Sequence, residues 1–151
     1  VVLWHNPNCS KSVRAAALLD LARCEVEERL YLVASPSVDE LREVVALLGR
    51  PVADIVRTSE APYDQLGLAT ASDEELLQAM AAHPQLIQRP IAIAKAKAMA
   101  VLARPPELVL SLLMPQLPAG LSSAEFMRHM MRGTLQTVIE PVAEGVPSAD
   151  D

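Results

Sequence analysis

The chain has 151 residues, 51% hydrophobic but only 3% aromatic, which points to one core of Ala, Leu, Val, Ile and Met and excludes two full domains. Thirteen Lys and Arg against nineteen Asp and Glu leave a formal charge of −6, which repels phosphate backbones and argues against nucleic-acid binding. The longest mostly apolar stretch, Ile91 to Ala103, carries Lys95 and Lys97 and is shorter than the roughly 20 residues of a bilayer span, so no membrane partner is expected.

Val1 to Trp4 lacks the basic start of a signal peptide and runs at once into His5, Asn6 and Pro7. It reads as a buried strand, and a soluble cytoplasmic protein is expected. Ser10 to Ala22 keeps apolar residues at helical spacing, which places Cys9 at a strand-to-helix junction. Val26 to Val33 reads as a second strand, reached through a helix, and so as the end of a parallel βαβ unit. Ser37 and Glu40 have the spacing of a capping box and Gly49 supplies the stop, which predicts a helix from about Val38 to Leu48. Pro51 suits the first turn of a short helix carrying Arg57, and Ser72 with Glu75 repeats the capping signal before Leu76 to Ala82. Ser37 to Ala82 is thus expected to be a helical block.

Ile91 to Ile93 and Ala100 to Leu102 are expected to pair as an antiparallel hairpin, although the turn from Lys95 to Ala98 lacks the Gly, Asn or Asp that tolerates positive φ. Pro105-Pro106 opens a helix through Leu113, stopped by Pro115 and Pro118. Beyond Gly120, a further helix is expected from Phe126 to Ile139, followed by a polar tail from Glu144. The order gives an α/β fold: a four-stranded mixed sheet with flanking helices and a helical insertion. The domain is drawn at residues 1–118, with a C-terminal helical extension and acidic tail at 119–151.

Two cysteines are too few for a disulfide scaffold in a chain of this size. At a helix N-terminus Cys9 faces free amides and the positive end of the dipole, both of which favour a thiolate. Lys11 and the hydroxyls of Ser10 and Ser12 share that turn and are suited to stabilise sulfur or a bound oxyanion. From position alone, a cysteine that merely packs fits equally well. Position 12 offers a hydroxyl and no second sulfur. Cys24 lies past the helix, roughly 20 Å away, whereas a disulfide needs Cα atoms within about 7 Å. A resolving thiol must therefore come from outside, and Cys24 reads as a packing residue. No Cys/His spacing suggests a metal site.

The run His5-Asn6-Pro7-Asn8-Cys9-Ser10-Lys11-Ser12 resembles the active-site loop of the glutathione- and glutaredoxin-coupled arsenate reductase family. The likeness continues at Pro62 to Leu68, at Arg89-Pro90-Ile91 and at Arg104-Pro105-Pro106-Glu107, and covers about the first 113 residues. It implies a thioredoxin-like fold with Pro90 in cis, and Cys9 as the nucleophile toward arsenate or a similar oxyanion. It also implies that Arg57, Arg89 and Arg104 bind that oxyanion and that His5 lies near the thiolate. Glutathione is implied as co-substrate and glutaredoxin as partner, with no bound cofactor. Guanidinium groups suit a tetrahedral anion through two-pronged hydrogen bonds, and their charge lowers a thiol pKa. Without the resemblance each arginine reads as a surface ion pair, and His5 as a structural residue.

Two departures stand out. Val13 occupies a position where the family has arginine, with Arg14 about 100° further round the helix. The segment between Arg89 and Arg104 is about two residues longer than usual and lacks the glycine of its turn. Two rival readings follow, a general glutathione-dependent oxidoreductase acting on protein mixed disulfides, and a thiol-stress regulator that binds RNA polymerase without turnover.

Overall fold

A computed structural model of the chain describes residues 1–113; the stops at Pro115 and Pro118, the expected helix Phe126–Ile139 and the expected boundary between residues 118 and 119 lie outside the described residues. Strand β1 (Val2–Trp4) leads through the loop before helix α1 (Ser10–Leu21) to strand β2 (Glu27–Arg29), which pairs parallel to β1 with Trp4 opposite Arg29. The βαβ unit is as expected, but its second strand ends at Arg29 and not at Val33. β2 is a sheet edge whose one partner stops at Trp4, so Leu30 onward has nothing to pair with. The chain turns instead: the Tyr31 amide donates to the Arg29 carbonyl, and the Val33 and Ala34 amides donate to that of Leu30.

Strands β3 (Ile91–Ala94) and β4 (Met99–Leu102) complete the sheet in the order β2-β1-β3-β4, β3 running antiparallel to both neighbours. The hairpin forms without the glycine that its turn wants. Lys95–Lys97 make a tight 3₁₀ turn and Ala98 takes the left-handed conformation at φ 49°. Lys97 Nζ donates to the Leu112 carbonyl at 2.7 Å, which ties the turn to the segment beneath it.

Alternation along the strands sends Trp4, Ile91 and Ile93 to one face, where they join Tyr31, Leu41, Val44, Ile55, Met80 and Leu86 in the larger core. On the other face Leu3 and Ala92 are buried, as are Ala15 and Leu19 of α1. The Pro106–Leu113 segment packs against α1 there, and it is a 3₁₀ helix, tighter than the helix expected from sequence.

The helical block consists of α2 (Val38–Leu48), a 3₁₀ turn at Val52–Ile55, α3 (Ala61–Gln65) and α4 (Asp73–Ala82). Gly49 and Gly67 take positive φ, 61° and 63°, Gly49 ending α2 and Gly67 turning the chain from the end of α3 into a 3₁₀ turn at Leu68–Thr70, in a conformation that side chains resist. Arg57 is not on a helix. The chain leaves the 3₁₀ turn to make a bridge from Val56 to Ile87, with the Arg57 amide donating to the Leu86 carbonyl at 2.7 Å and the Gln88 amide to that of Ile55 at 2.8 Å. Pairing with residues 86–88 extends the backbone where a helix was expected.

The topology sets up the site. β1 and β2 end, β3 begins and β4 ends at one rim of the sheet, so Cys9, Tyr31, Arg89 and Arg104 leave the strands at the same end. No helix among the described residues is long and apolar enough to cross a membrane.

Candidate active site

The loop that delivers Cys9 is fixed by its own short polar side chains. The Cys9 amide donates to the Asn6 carbonyl at 3.0 Å across Pro7 and Asn8, a β-turn with proline pre-set at its second position. Asn6 Oδ1 accepts from the Asn8 amide at 3.0 Å, the side-chain-to-backbone turn that asparagine favours. Ser12 Oγ, fully buried, accepts from the Asn6 amide at 3.0 Å and lies 2.8 Å from His5 Nδ1. The loop is thereby pinned to the first turn of α1.

Cys9 is the N-cap residue of α1, with extended backbone (φ −109°, ψ 117°), no side-chain cap and no acidic residue in the turn that follows. The thiol lies below its ordinary value of 9.0. Partial burial works against the anion, but the Ser12 amide, the Arg89 guanidinium and the Lys11 amide outweigh it. Arg89, half-buried, faces both the Cys9 sulfur and the Tyr31 hydroxyl. Its cation is held against the burial that disfavours it by those two neighbours.

The other expected residues are arranged around this pair in different ways. Arg104, exposed, donates from a guanidinium nitrogen to the Arg89 carbonyl at 3.1 Å, and both arginines precede cis prolines, Pro90 and Pro105. Arg57 is close enough for its charge to act on Tyr31, and it is paired with Glu60 at 3.0 Å. His5 Nδ1 meets the Ser12 hydroxyl and not the sulfur, so its link to Cys9 runs through the loop. The Ser12 hydroxyl, expected at the sulfur or oxyanion, is engaged with His5 and Asn6, and it is the Ser12 amide that favours the thiolate. The same holds for Lys11: its amide acts on Cys9, while its side chain is exposed, as is that of Ser10. Arg14 does not replace the arginine absent at position 13. Its Nε pairs with Glu107 Oε1 at 2.6 Å, fastening α1 to the Pro106–Leu113 segment.

Tyr31 is the residue that sequence reasoning missed. Sequence places it only within the second expected strand; its signal is a hydroxyl-bearing ring between Leu30 and Leu32. Cys24 is at the far end of α1, and both cysteines are free thiols. Beside it, Ala16, Ala17, Asp20, Cys24, Val26 and Glu28 line a hollow of about 550 Å³, whose two carboxylates make it unsuited to an oxyanion. No group of three His, Cys, Asp or Glu that could hold a metal occurs among the described residues.

The sequence model of the ArsC family matches residues 4–112. An arsenate reductase of Haemophilus influenzae is 40% identical over 116 residues, spanning 75% of this chain and 98% of its own length. An uncharacterized protein of Escherichia coli K12, YfgD, is 40% identical over 115 residues, 74% of this chain and 95% of its own. Among solved structures, an arsenate reductase from Vibrio cholerae superposes with a TM-score of 0.70 at 41% identity, covering 74% of this chain and 95% of that one.

Proposed function

The chain belongs to the ArsC family and has its thioredoxin-like fold, and from that premise we propose that it is a thiol-dependent oxidoreductase in which Cys9 attacks arsenate and glutathione with glutaredoxin resolves the adduct. The observation that carries this reading is the Cys9 thiol at an uncapped helix start with the Arg89 guanidinium beside it. The thiolate forms a sulfur–arsenic bond as an arsenate oxygen departs as water. A glutathione thiolate then attacks the Cys9 sulfur, the sulfur–arsenic electron pair passes to arsenic, and arsenite leaves with Cys9 as a mixed disulfide. Thiol exchange with glutaredoxin frees Cys9. Two thiols become one disulfide, arsenic gains two electrons, and the two thiol protons leave with the departing oxygen.

Arg89, Arg57 and Arg104 are assigned to the arsenate oxygens. Glu60 pairs with Arg57, and a bound oxyanion takes over that pairing. An external resolving thiol is supported by the hydroxyl at position 12 and by the length of α1, about 18 Å for twelve residues, between the two cysteines. Glutathione at cytoplasmic concentration suits that need, and the cytoplasm is the expected compartment.

One observation favours the glutathione-dependent oxidoreductase reading. With Arg14 committed to Glu107, the exposed face of the first turn of α1 carries an apolar Val13, which suits a polypeptide better than a small anion. A coupled assay with glutathione, glutaredoxin and an NADPH readout decides between the two. Oxidation of NADPH on adding arsenate supports arsenate reduction; oxidation only on adding a protein–glutathione mixed disulfide supports the second reading. Turnover of neither, with retention of RNA polymerase subunits in a pull-down, assigns the chain to the regulators.

A further inference from the structure

Among the described residues two buried side-chain polar atoms have no hydrogen-bond partner, Tyr31 Oη and Arg89 Nε. Burying a polar group without a partner is costly and uncommon, so two such atoms on one pair of neighbouring side chains call for a reason. A phenylalanine at position 31 fills the same space without that cost.

The ring of Tyr31 is held firmly. It is fully buried and stacks on Trp4, with ring centroids 6.4 Å apart and planes 26° apart. Arg29 lies over the Trp4 ring at 5.6 Å and is itself gripped by both oxygens of Glu40, at 2.6 and 3.1 Å. Leaving β2 at the rim where β3 begins, Tyr31 brings its hydroxyl to Arg89. Arginine has only donors, so the one hydrogen bond open to the pair runs from guanidinium to phenol oxygen.

We propose that the Tyr31 hydroxyl is a positioning group for Arg89, accepting from its guanidinium and so holding that cation against Cys9 when the site carries a thiolate or a bound oxyanion. The proposal rests on the reading of Cys9 as the nucleophile. The two groups face each other, and the bond closes as an anion draws Arg89 toward the sulfur. Burial raises the phenol above its ordinary value of 10.0, against the pull of Arg89 and Arg57, so the hydroxyl stays neutral in the working range.

The test is the substitution Tyr31→Phe, which removes the hydroxyl and keeps the ring on Trp4. The rate of Cys9 alkylation by iodoacetamide is followed against pH, with Cys24 separated by peptide mapping. The midpoint is expected to move up, and the rate below both midpoints to fall roughly two- to tenfold, the worth of one neutral hydrogen bond. In the Arg89→Ala background the same substitution is expected to change nothing further, because the hydroxyl acts through Arg89. An unmoved midpoint in Tyr31→Phe overturns the proposal, and so does an equal shift with and without Arg89, which would mean that the hydroxyl acts on sulfur directly. Thermal unfolding is expected to show Tyr31→Phe at least as stable as the parent, since an unsatisfied buried hydroxyl has gone; a large loss would make the hydroxyl structural and overturn its role at Arg89. None of these readouts uses arsenate, so a chain that fails to reduce arsenate defeats the proposed substrate and leaves this comparison standing.

Discussion

α2 and α4 begin in the same way, and α1 begins in another. Ser37 and Ser72 each accept from the amide three residues on, and Glu40 and Glu75 each reach back to the cap amide, so the first orphan donors of both helices are satisfied within the chain. Their first turns are acidic, as the dipole prefers. α1 has none of this: a cysteine at the cap, no side-chain hydrogen bond there and no acid in the first turn. A chain that uses the favourable start twice omits it where the sheet rim gathers Arg89 and Arg104. The lesson is that the first amides of α1 act on the Cys9 sulfur where those of α2 and α4 serve a capping side chain.

The largest break in this contrast is removal of the sulfur. Cys9→Ser is expected to abolish turnover, and Cys24→Ser to leave it near the parent, because Cys24 has neither the free amides nor the arginine. Initial rates of the two variants in the coupled assay check this, and comparable losses would bring Cys24 into the mechanism.

Taking away the cation beside the free amides comes next. Arg89→Ala is expected to cost at least about tenfold in kcat/KM for arsenate, since one charge-assisted contact is worth roughly 1.5–3 kcal/mol. Unchanged kinetics would return Arg89 to a structural role.

Making α1 resemble its counterparts sharpens the comparison. Ser10→Glu places an acid in the first turn, where it is expected to add roughly 0.3–1 kcal/mol of stability while raising the Cys9 pKa and slowing turnover. Thermal melts and alkylation profiles read the two opposed effects, and a variant in which both move the same way would refute the trade between capping and chemistry.

Removing a cap from the other side of the comparison has a small effect confined to stability. Ser37→Ala is expected to cost about 1 kcal/mol in denaturant unfolding and to leave Cys9 alkylation unaltered. Glu40 adds a pH signature. The Arg29 guanidinium and the Ser37 amide draw its carboxyl down from 4.5 to about 2. A carboxyl depressed in the folded state stabilises fully above its unfolded value, so this contribution is present above about 4.5 and is lost as pH falls toward about 2. The side chain is 44% exposed and its pairing is screened, so the loss is expected to be modest. Acid titration of unfolding for Glu40→Gln against the parent checks it: the variant is expected to have a flatter profile across that window.

The legible parts of the chain were those decided by neighbours in sequence. Both capping boxes, the Gly49 stop, the cysteine at the head of α1 and the hairpin are local patterns, and each is where the residues place it. What escaped depends on partners far along the chain. β2 stops at Arg29 because β1 gives it no more to pair with, and Arg57 is extended because residues 86–88 pair with the segment before it. Arg14 is withdrawn from the site by Glu107, 93 residues away. Ser12 lies in the expected loop, but the direction of its hydroxyl depends on His5, and Tyr31 enters the site only because strand order brings β2 and β3 to one rim.

The most direct test of the central claim is to find which sulfur carries the adduct. The protein is treated with arsenate and glutathione, quenched by acid and mapped by peptide mass. A single glutathione on Cys9, absent when arsenate is omitted, is the predicted result: the reactive thiol sits at the uncapped helix start and its resolving partner comes from solution. A disulfide between Cys9 and Cys24 within one chain, or glutathione on Cys24 alone, would contradict it.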